Sequence, residues 1–225
     1  MKSIATIFEN FLPRDQFEEL KQSCLIYADK KEDTNPEIGH NAIIAEDWVG
    51  PKATREYEKN HPLRSTTYSI KKEMLARGLI GKNTGYEYWL NINKQQEYHY
   101  DCDEGLRQKH GIFRFPVVSS VFYISCPNQQ EKSKGCLVLH KATKNKQTIH
   151  NFYTNKADEL SSETQRISPR ENRLVFFPPR VPHKVEPWSR GERISMAVNF
   201  WEHRPLEKNY TDLQLLRTLL RMQLN

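Results

Sequence analysis

The chain has 225 residues, of which 37% are apolar and 28% charged, and its mean hydropathy is −0.80. That length suits one domain and is enough to bury a core without disulfide or metal staples. Lys and Arg number 34 against 28 Asp and Glu, a net charge of +6 that permits an acidic partner without requiring one. No apolar run approaches the length of a membrane span, and Glu9 interrupts the first apolar run too early for a signal peptide. The cysteines, Cys24, Cys102, Cys126 and Cys136, contain no CxxC pair and make no disulfide framework. A cytoplasmic protein is the resulting expectation. Nothing repeats at a fixed period, which argues against a solenoid.

Taken in chain order, Phe17, Leu20, Cys24 and Tyr27 recur on one helical face, which predicts a helix over 13–28 with Pro13 in its first turn. Residues 30–61 are polar and irregular and read as a long loop, a lid candidate. A second helix is expected over 62–77, with Ile70 and Met74 on one face and Gly78 closing it in left-handed conformation. From Tyr86 the pattern changes to short apolar runs with period-two alternation. YEYWLNI is a strand candidate, EYHYDCDEG follows as a polar strand end, and further strands are expected over 117–125, 135–140, 173–178 and 193–201. Residues 141–170 are polar and form a second lid candidate. The last stretch, 211–224, is amphipathic and predicts a helix that packs on the sheet or pairs two copies into a homodimer. The whole reads as a single domain, mainly β with flanking helices. It has a helical lead-in and lid loop over 1–85, a sandwich or jelly-roll core over 86–201, and a C-terminal helix over 202–225.

Among the eight histidines, His99 is followed two residues on by Asp101. On a strand such residues share a face, so an imidazole and a carboxylate can bite one metal ion. His183 follows an apolar strand and two prolines, and ten residues on Arg193 opens the strongly apolar RISMAVNFW. A guanidinium entering a core needs a partner, and a carboxylate serves it best, from the protein or from a ligand. Two histidines and one carboxylate are the ligand set of non-haem Fe(II) oxygenases and leave coordination positions open. Zinc is the alternative metal for the same ligands, although it gives the arginine no purpose. Asp103 and Glu104, beside the pair, read as solvated carboxylates, with substrate hydrogen bonding as the alternative.

The segments WLNINKQQEYHYDCDEG, SSVFYIS, KGCLVLH, RLVFFPPRVPHKVEPW and GERISMAVNFW together resemble the Fe(II)/2-oxoglutarate-dependent oxygenases, and within them the prolyl-hydroxylase-like branch with its small bacterial and phage-type members. The lead-in IFENFLPRDQFEELKQ is similar to that branch as well. The resemblance implies a double-stranded β-helix, a distorted jelly roll. It implies His99, Asp101 and His183 as Fe(II) ligands and Arg193 as the anchor of the distal carboxylate of 2-oxoglutarate. Tyr123 helps hold that carboxylate, Ser195 matches a hydroxyl two residues after the arginine, and Asn91 is placed to reach the cosubstrate. The activity implied is hydroxylation by dioxygen, with 2-oxoglutarate converted to succinate and carbon dioxide and ascorbate a candidate reductant. One departure is Lys134-Gly135, where the family usually has Gly-Gly. The branch points to a protein or peptide side chain such as proline as substrate. A small molecule is the next reading, with specificity in the two lid candidates. Nucleic acid is less favoured, because demethylases of that class carry a second arginine where this chain has Asn199. A non-catalytic jelly-roll binding protein is the remaining alternative.

Overall fold

The computed structural model describes residues 3–31, 43–44, 62–82, 84–93, 95–127, 134–141, 163–188, 191–203 and 205. Helix α1 spans Arg14–Lys31, and the Phe17 N–H donates to the Pro13 carbonyl at 2.9 Å, so Pro13 immediately precedes the first turn. Its buried face includes Phe17, Leu20 and Cys24, as the sequence periodicity predicts, together with Ala28, while the Tyr27 side chain lies outside what the structure describes. Helix α2 spans Pro62–Ala76 and buries Leu63, Thr67, Ile70 and Met74. It ends at Gly78, whose φ of 66° is the left-handed conformation that a side chain disfavours.

Both helices cover one face of a six-stranded antiparallel sheet. Its strands are β1 (Thr6–Phe8), β2 (Ile43–Ile44), β3 (Gly85–Ile92), β5 (Val118–Ser125), β8 (Arg173–Phe177) and β10 (Ile194–Trp201), in the order β1-β8-β5-β10-β3-β2. Strand β10 is buried along its whole length. Its alternation splits two environments. Ile194, Met196, Val198 and Phe200 pack with Leu20, Ile70 and Met74 under the helices. Ser195, Ala197, Asn199 and Trp201 therefore point the other way.

A four-stranded antiparallel sheet lies on that inner face. It consists of β4 (Gln96–His99), β6 (Leu137–His140), β7 (Thr164–Ile167) and β9 (His183–Val185), in the order β4-β9-β6-β7. Leu137, Leu139 and Ile167 of this sheet pack against Tyr123, Val175 and Phe177 of the larger one. The result is a two-sheet sandwich with its helices on one outer face.

The expected strands all form, and the structure adds elements that the sequence pattern did not announce. Strand β1 joins the edge of the larger sheet beside β8. Strand β7 lies in the polar stretch after 141. Only its Ile167 is buried, so the apolar alternation that marks a strand is missing there. Its Gln165 instead accepts from the Ile4 and Ala5 N–H groups and ties down the start of the chain. Strand β9 begins at His183, which the sequence marks only as a histidine after an apolar strand and two prolines. Helix α3 (Glu104–His110) follows Asp101, with Gly111 at its C-cap. The predicted helix over 211–224, and with it the homodimer, lies outside the described residues, as do most of the two lid candidates. All four cysteines are buried thiols outside any disulfide. Among the described residues no helix is long and apolar enough to cross a membrane.

Candidate metal and cosubstrate site

His99 closes β4 and His183 opens β9, and the antiparallel register of these strands sets them directly opposite each other. Their ring centroids are 4.2 Å apart. Asp101 lies two residues past His99, beyond the strand end, and its Oδ2 comes to 3.8 Å from His183 Nε2. One donor atom from each of His99, Asp101 and His183 lies within 4.8 Å of the others. Each imidazole is aimed from behind by a main-chain carbonyl. Nδ1 of His99 is 2.8 Å from the Glu97 carbonyl oxygen, and Nδ1 of His183 is 3.0 Å from that of Val181. A carbonyl only accepts, so each Nδ1 carries the proton and each Nε2 presents its lone pair to the space between the three residues. Burial, reinforced by the neighbouring His99, lowers the His183 pKa from 6.5 to about 4, although Asp101 pulls the other way. His183 therefore stays neutral, the coordinating form, at physiological pH.

The turn that presents Asp101 is held by Asp103. Its N–H donates to the Arg114 carbonyl at 2.8 Å, its Oδ1 caps α3 by accepting from the Leu106 N–H at 2.9 Å, and its Oδ2 pairs with the Arg114 guanidinium. The expectation of a solvated Asp103 is thus corrected, because the residue is 1% exposed. An N-cap needs an acceptor at this position, and the arginine neutralises the charge that burial would otherwise penalise. Glu104 is engaged too, accepting from Arg107 Nε at 2.9 Å and from the Cys102 thiol at 3.0 Å.

The other group of sequence-predicted residues sits on the larger sheet. Ser195 of β10 stands between Tyr123 of β5 and Asn91 of β3, its register partners on either side. Arg193 precedes β10 and is locked by two bonds to Asn93. Its N–H donates to Asn93 Oδ1 at 2.7 Å, and its carbonyl accepts from the Asn93 N–H at 2.9 Å. The guanidinium is buried, donates from Nη1 to the Gly135 carbonyl at 2.9 Å, and lies 5.9 Å from the Trp188 ring. Burial lowers the Arg193 pKa, and burial raises that of Tyr123, so Tyr123 is a neutral hydroxyl.

Both groups open onto one cavity. His99, Asp101, His183, Asn91, Tyr123, Arg193 and Ser195 all line it. Trp89, Val121, Phe177 and Ala197 supply apolar wall. Sequence reading missed these wall residues and missed Trp188. It noted Gly135 only as a departure from a pattern. The structure gives that glycine a reason. Its φ is +68°, and a Cβ there would lie 2.5 Å from the Trp188 ring and 2.9 Å from Arg193 Nη1. The missing side chain lets the guanidinium and the indole close over the strand.

A cluster of two imidazoles and one carboxylate on one side of a cavity matches a borderline divalent metal with open positions, and a buried guanidinium farther along matches a carboxylate. The family described as the 2OG-Fe(II) oxygenase superfamily matches residues 86–201, just over half of the chain. No curated protein sequence matches. Among solved structures, the fold is similar to a Pseudomonas putida prolyl-4-hydroxylase at 19% identity and a TM-score of 0.51, covering 89% of this chain and 94% of that one. It is also similar to the viral collagen prolyl hydroxylase of Paramecium Bursaria Chlorella virus-1 at 12% identity and a TM-score of 0.51, covering 90% and 91%. A third likeness is HygX from Streptomyces hygroscopicus, solved with nickel and 2-oxoglutarate, at 11% identity and a TM-score of 0.51, covering 88% and 82%.

Proposed function

Because this chain belongs to the 2OG-Fe(II) oxygenase superfamily and is a 2-oxoglutarate-dependent dioxygenase, we propose that it hydroxylates a peptide or protein side chain, proline first among them. The observation that carries the site assignment is that seven residues, five on five different strands and two, Asp101 and Arg193, in separate loops, meet on one cavity, with a metal-type triad in one group and a buried cation in the other. In this reading the two sheets form the double-stranded β-helix. His99, Asp101 and His183 hold Fe(II), Arg193 and Tyr123 hold the distal carboxylate of 2-oxoglutarate, and Ser195 and Asn91 flank it. The fit is chemical. Two imidazoles and a hard carboxylate suit Fe(II), and Asp101 offsets part of the ion's charge.

When bound, Fe(II) supplies the redox chemistry that couples decarboxylation of 2-oxoglutarate by dioxygen to oxidation of a C–H bond, giving succinate and carbon dioxide. The chain's own residues position and exclude. The Glu97 and Val181 carbonyls keep both Nε2 lone pairs directed inward. Arg193, desolvated before any ligand arrives, offers a carboxylate a site where charge pairing is strong. Trp89, Val121 and Phe177 keep water from the reacting centre. No side chain needs to act as a general base. Ascorbate belongs to the proposal only as an external reductant.

A peptide substrate is supported by the near full-length likeness of fold to two prolyl hydroxylases. Anaerobic addition of Fe(II) and 2-oxoglutarate is expected to give a weak visible charge-transfer band. The band should vanish in His183→Ala. In Arg193→Ala it should need at least about tenfold more 2-oxoglutarate, with Fe(II) affinity little changed. A band that survives His183→Ala at wild-type strength sinks the ligand assignment. Succinate release against a panel of proline-containing peptides then tests the substrate class.

A further inference from the structure

The inner face of β10 carries Ser195, Ala197, Asn199 and Trp201 in turn. Ser195 and Ala197 line the cavity already described. Asn199 is the next step along the strand, about 7 Å beyond Ala197. Its register partners are Ser119 on β5 and Glu87 on β3. These three make a polar row across adjacent strands, and all are buried, with Ser119 fully so. Ser119 has Phe177 of β8 as its other register partner, and the Phe177 ring lies 4.8 Å from that of His183. The row therefore continues the cavity wall by one step, on the side away from Arg193, with Phe177 between Ser119 and His183.

Ser119 Oγ, Asn199 Oδ1 and the Trp201 indole nitrogen are buried and have no hydrogen-bond partner among the described residues. Buried polar atoms in folded proteins nearly always have partners, because leaving one unsatisfied costs its full desolvation. Three such atoms lie on neighbouring positions of two strands, one step along from Val121 and Ala197 of the cavity wall.

We propose that Ser119, Asn199 and Trp201 form the subsite that fixes the substrate, and that it takes a peptide amide. The inference rests on the oxygenase reading above and adds the chemical group recognised. A hydroxyl that gives or takes, a carboxamide oxygen that accepts and an indole N–H that donates together match a neutral group with both an N–H and a C=O. Glu87, buried next to Asn199, adds carboxyl oxygens to the row, which suit an N–H better than a phosphate. The position that carries a second arginine in nucleic-acid demethylases is thus put to a different use here.

The test uses the full chain, labelled with nitrogen-15 and loaded with diamagnetic Zn(II) and 2-oxoglutarate. N-acetyl-L-proline methylamide is the probe, and adenosine 5′-monophosphate is the anionic control. The amide is expected to shift the Trp201 indole and Asn199 carboxamide resonances, and the nucleotide is expected to leave them in place. Ser119→Ala and Asn199→Leu should each raise the half-saturating amide concentration at least about tenfold. Ser119→Ala removes a single oxygen and keeps the test decisive if Asn199→Leu does not fold. Resonances that ignore the amide, that follow the nucleotide equally, or variants that bind the amide like the wild type overturn the subsite. A wild-type protein that gives no charge-transfer band with Fe(II) and 2-oxoglutarate fails the oxygenase reading instead. An intact band beside an unresponsive row fails the subsite alone.

Discussion

The two sheets carry the two halves of the site in very different ways. Strands β3, β5 and β10 of the larger sheet are eight residues each, with β10 buried throughout and backed by two helices. The strands of the smaller sheet are three or four residues, and β4 and β9 are largely half-exposed. Arg193, Tyr123, Ser195 and Asn91 belong to the first kind of structure, and the two histidines belong to the second. The proposed cosubstrate end is therefore cut into the core itself, where a change in the site is also a change in packing. The proposed metal end is a short ladder on which two residues face each other, and it can vary at lower cost to the fold.

That contrast can be broken most directly by truncation. Phe200→Ala, on the helix side of β10, should cost about 3–5 kcal/mol, a large part of a domain's stability. Val185→Ala in β9, losing two half-buried methyl groups, should cost about 1–2 kcal/mol. Urea unfolding of both variants measures the difference, and equal losses would show that the smaller sheet is as much core as the larger one. Gly135→Ala sharpens the point at the cosubstrate end. An alanine at φ +68° that also meets Trp188 and Arg193 should destabilise by about 1–3 kcal/mol and weaken 2-oxoglutarate binding, with Fe(II) affinity preserved. Calorimetric titration with each ligand separates the two effects.

A further expected effect is a pH dependence that arises at His183. His183 takes a proton near 6.5 when unfolded and only near 4 when folded. Between those values the unfolded chain binds a proton that the folded chain refuses. The metal-free protein should lose stability as pH falls from 6.5 toward 4 and gain nothing from His183 above that range. Urea midpoints at pH 7.5, 6 and 5 read this slope, and His183→Leu should flatten it.

Much of the site was legible because period-two alternation commits a strand residue to one face before any partner is known. His99, Arg193 just before β10, and Tyr123 within an apolar run were all readable in that way. Asp101 was read on the same strand logic, yet it lies just past the strand end and is held in place by the cap and ion pair of Asp103. Strand β9 was hidden because two prolines and three residues of strand leave no apolar period to detect. Asp103 looked solvated because a single carboxylate in sequence carries no sign of an N-cap or of an arginine eleven residues on.

The sequence by itself determined the chemistry available, namely two imidazoles, one carboxylate and a cation set at the mouth of the most apolar strand. It also determined which residues share a face, since alternation is a local property of the backbone. Tertiary structure alone decided which faces meet. His99 opposite His183, Gly135 under Trp188 and Arg193, and Ser119 beside Asn199 and Glu87 are all products of register between strands far apart in the chain. Register is set by the packing of whole sheets, and no short stretch of sequence contains it.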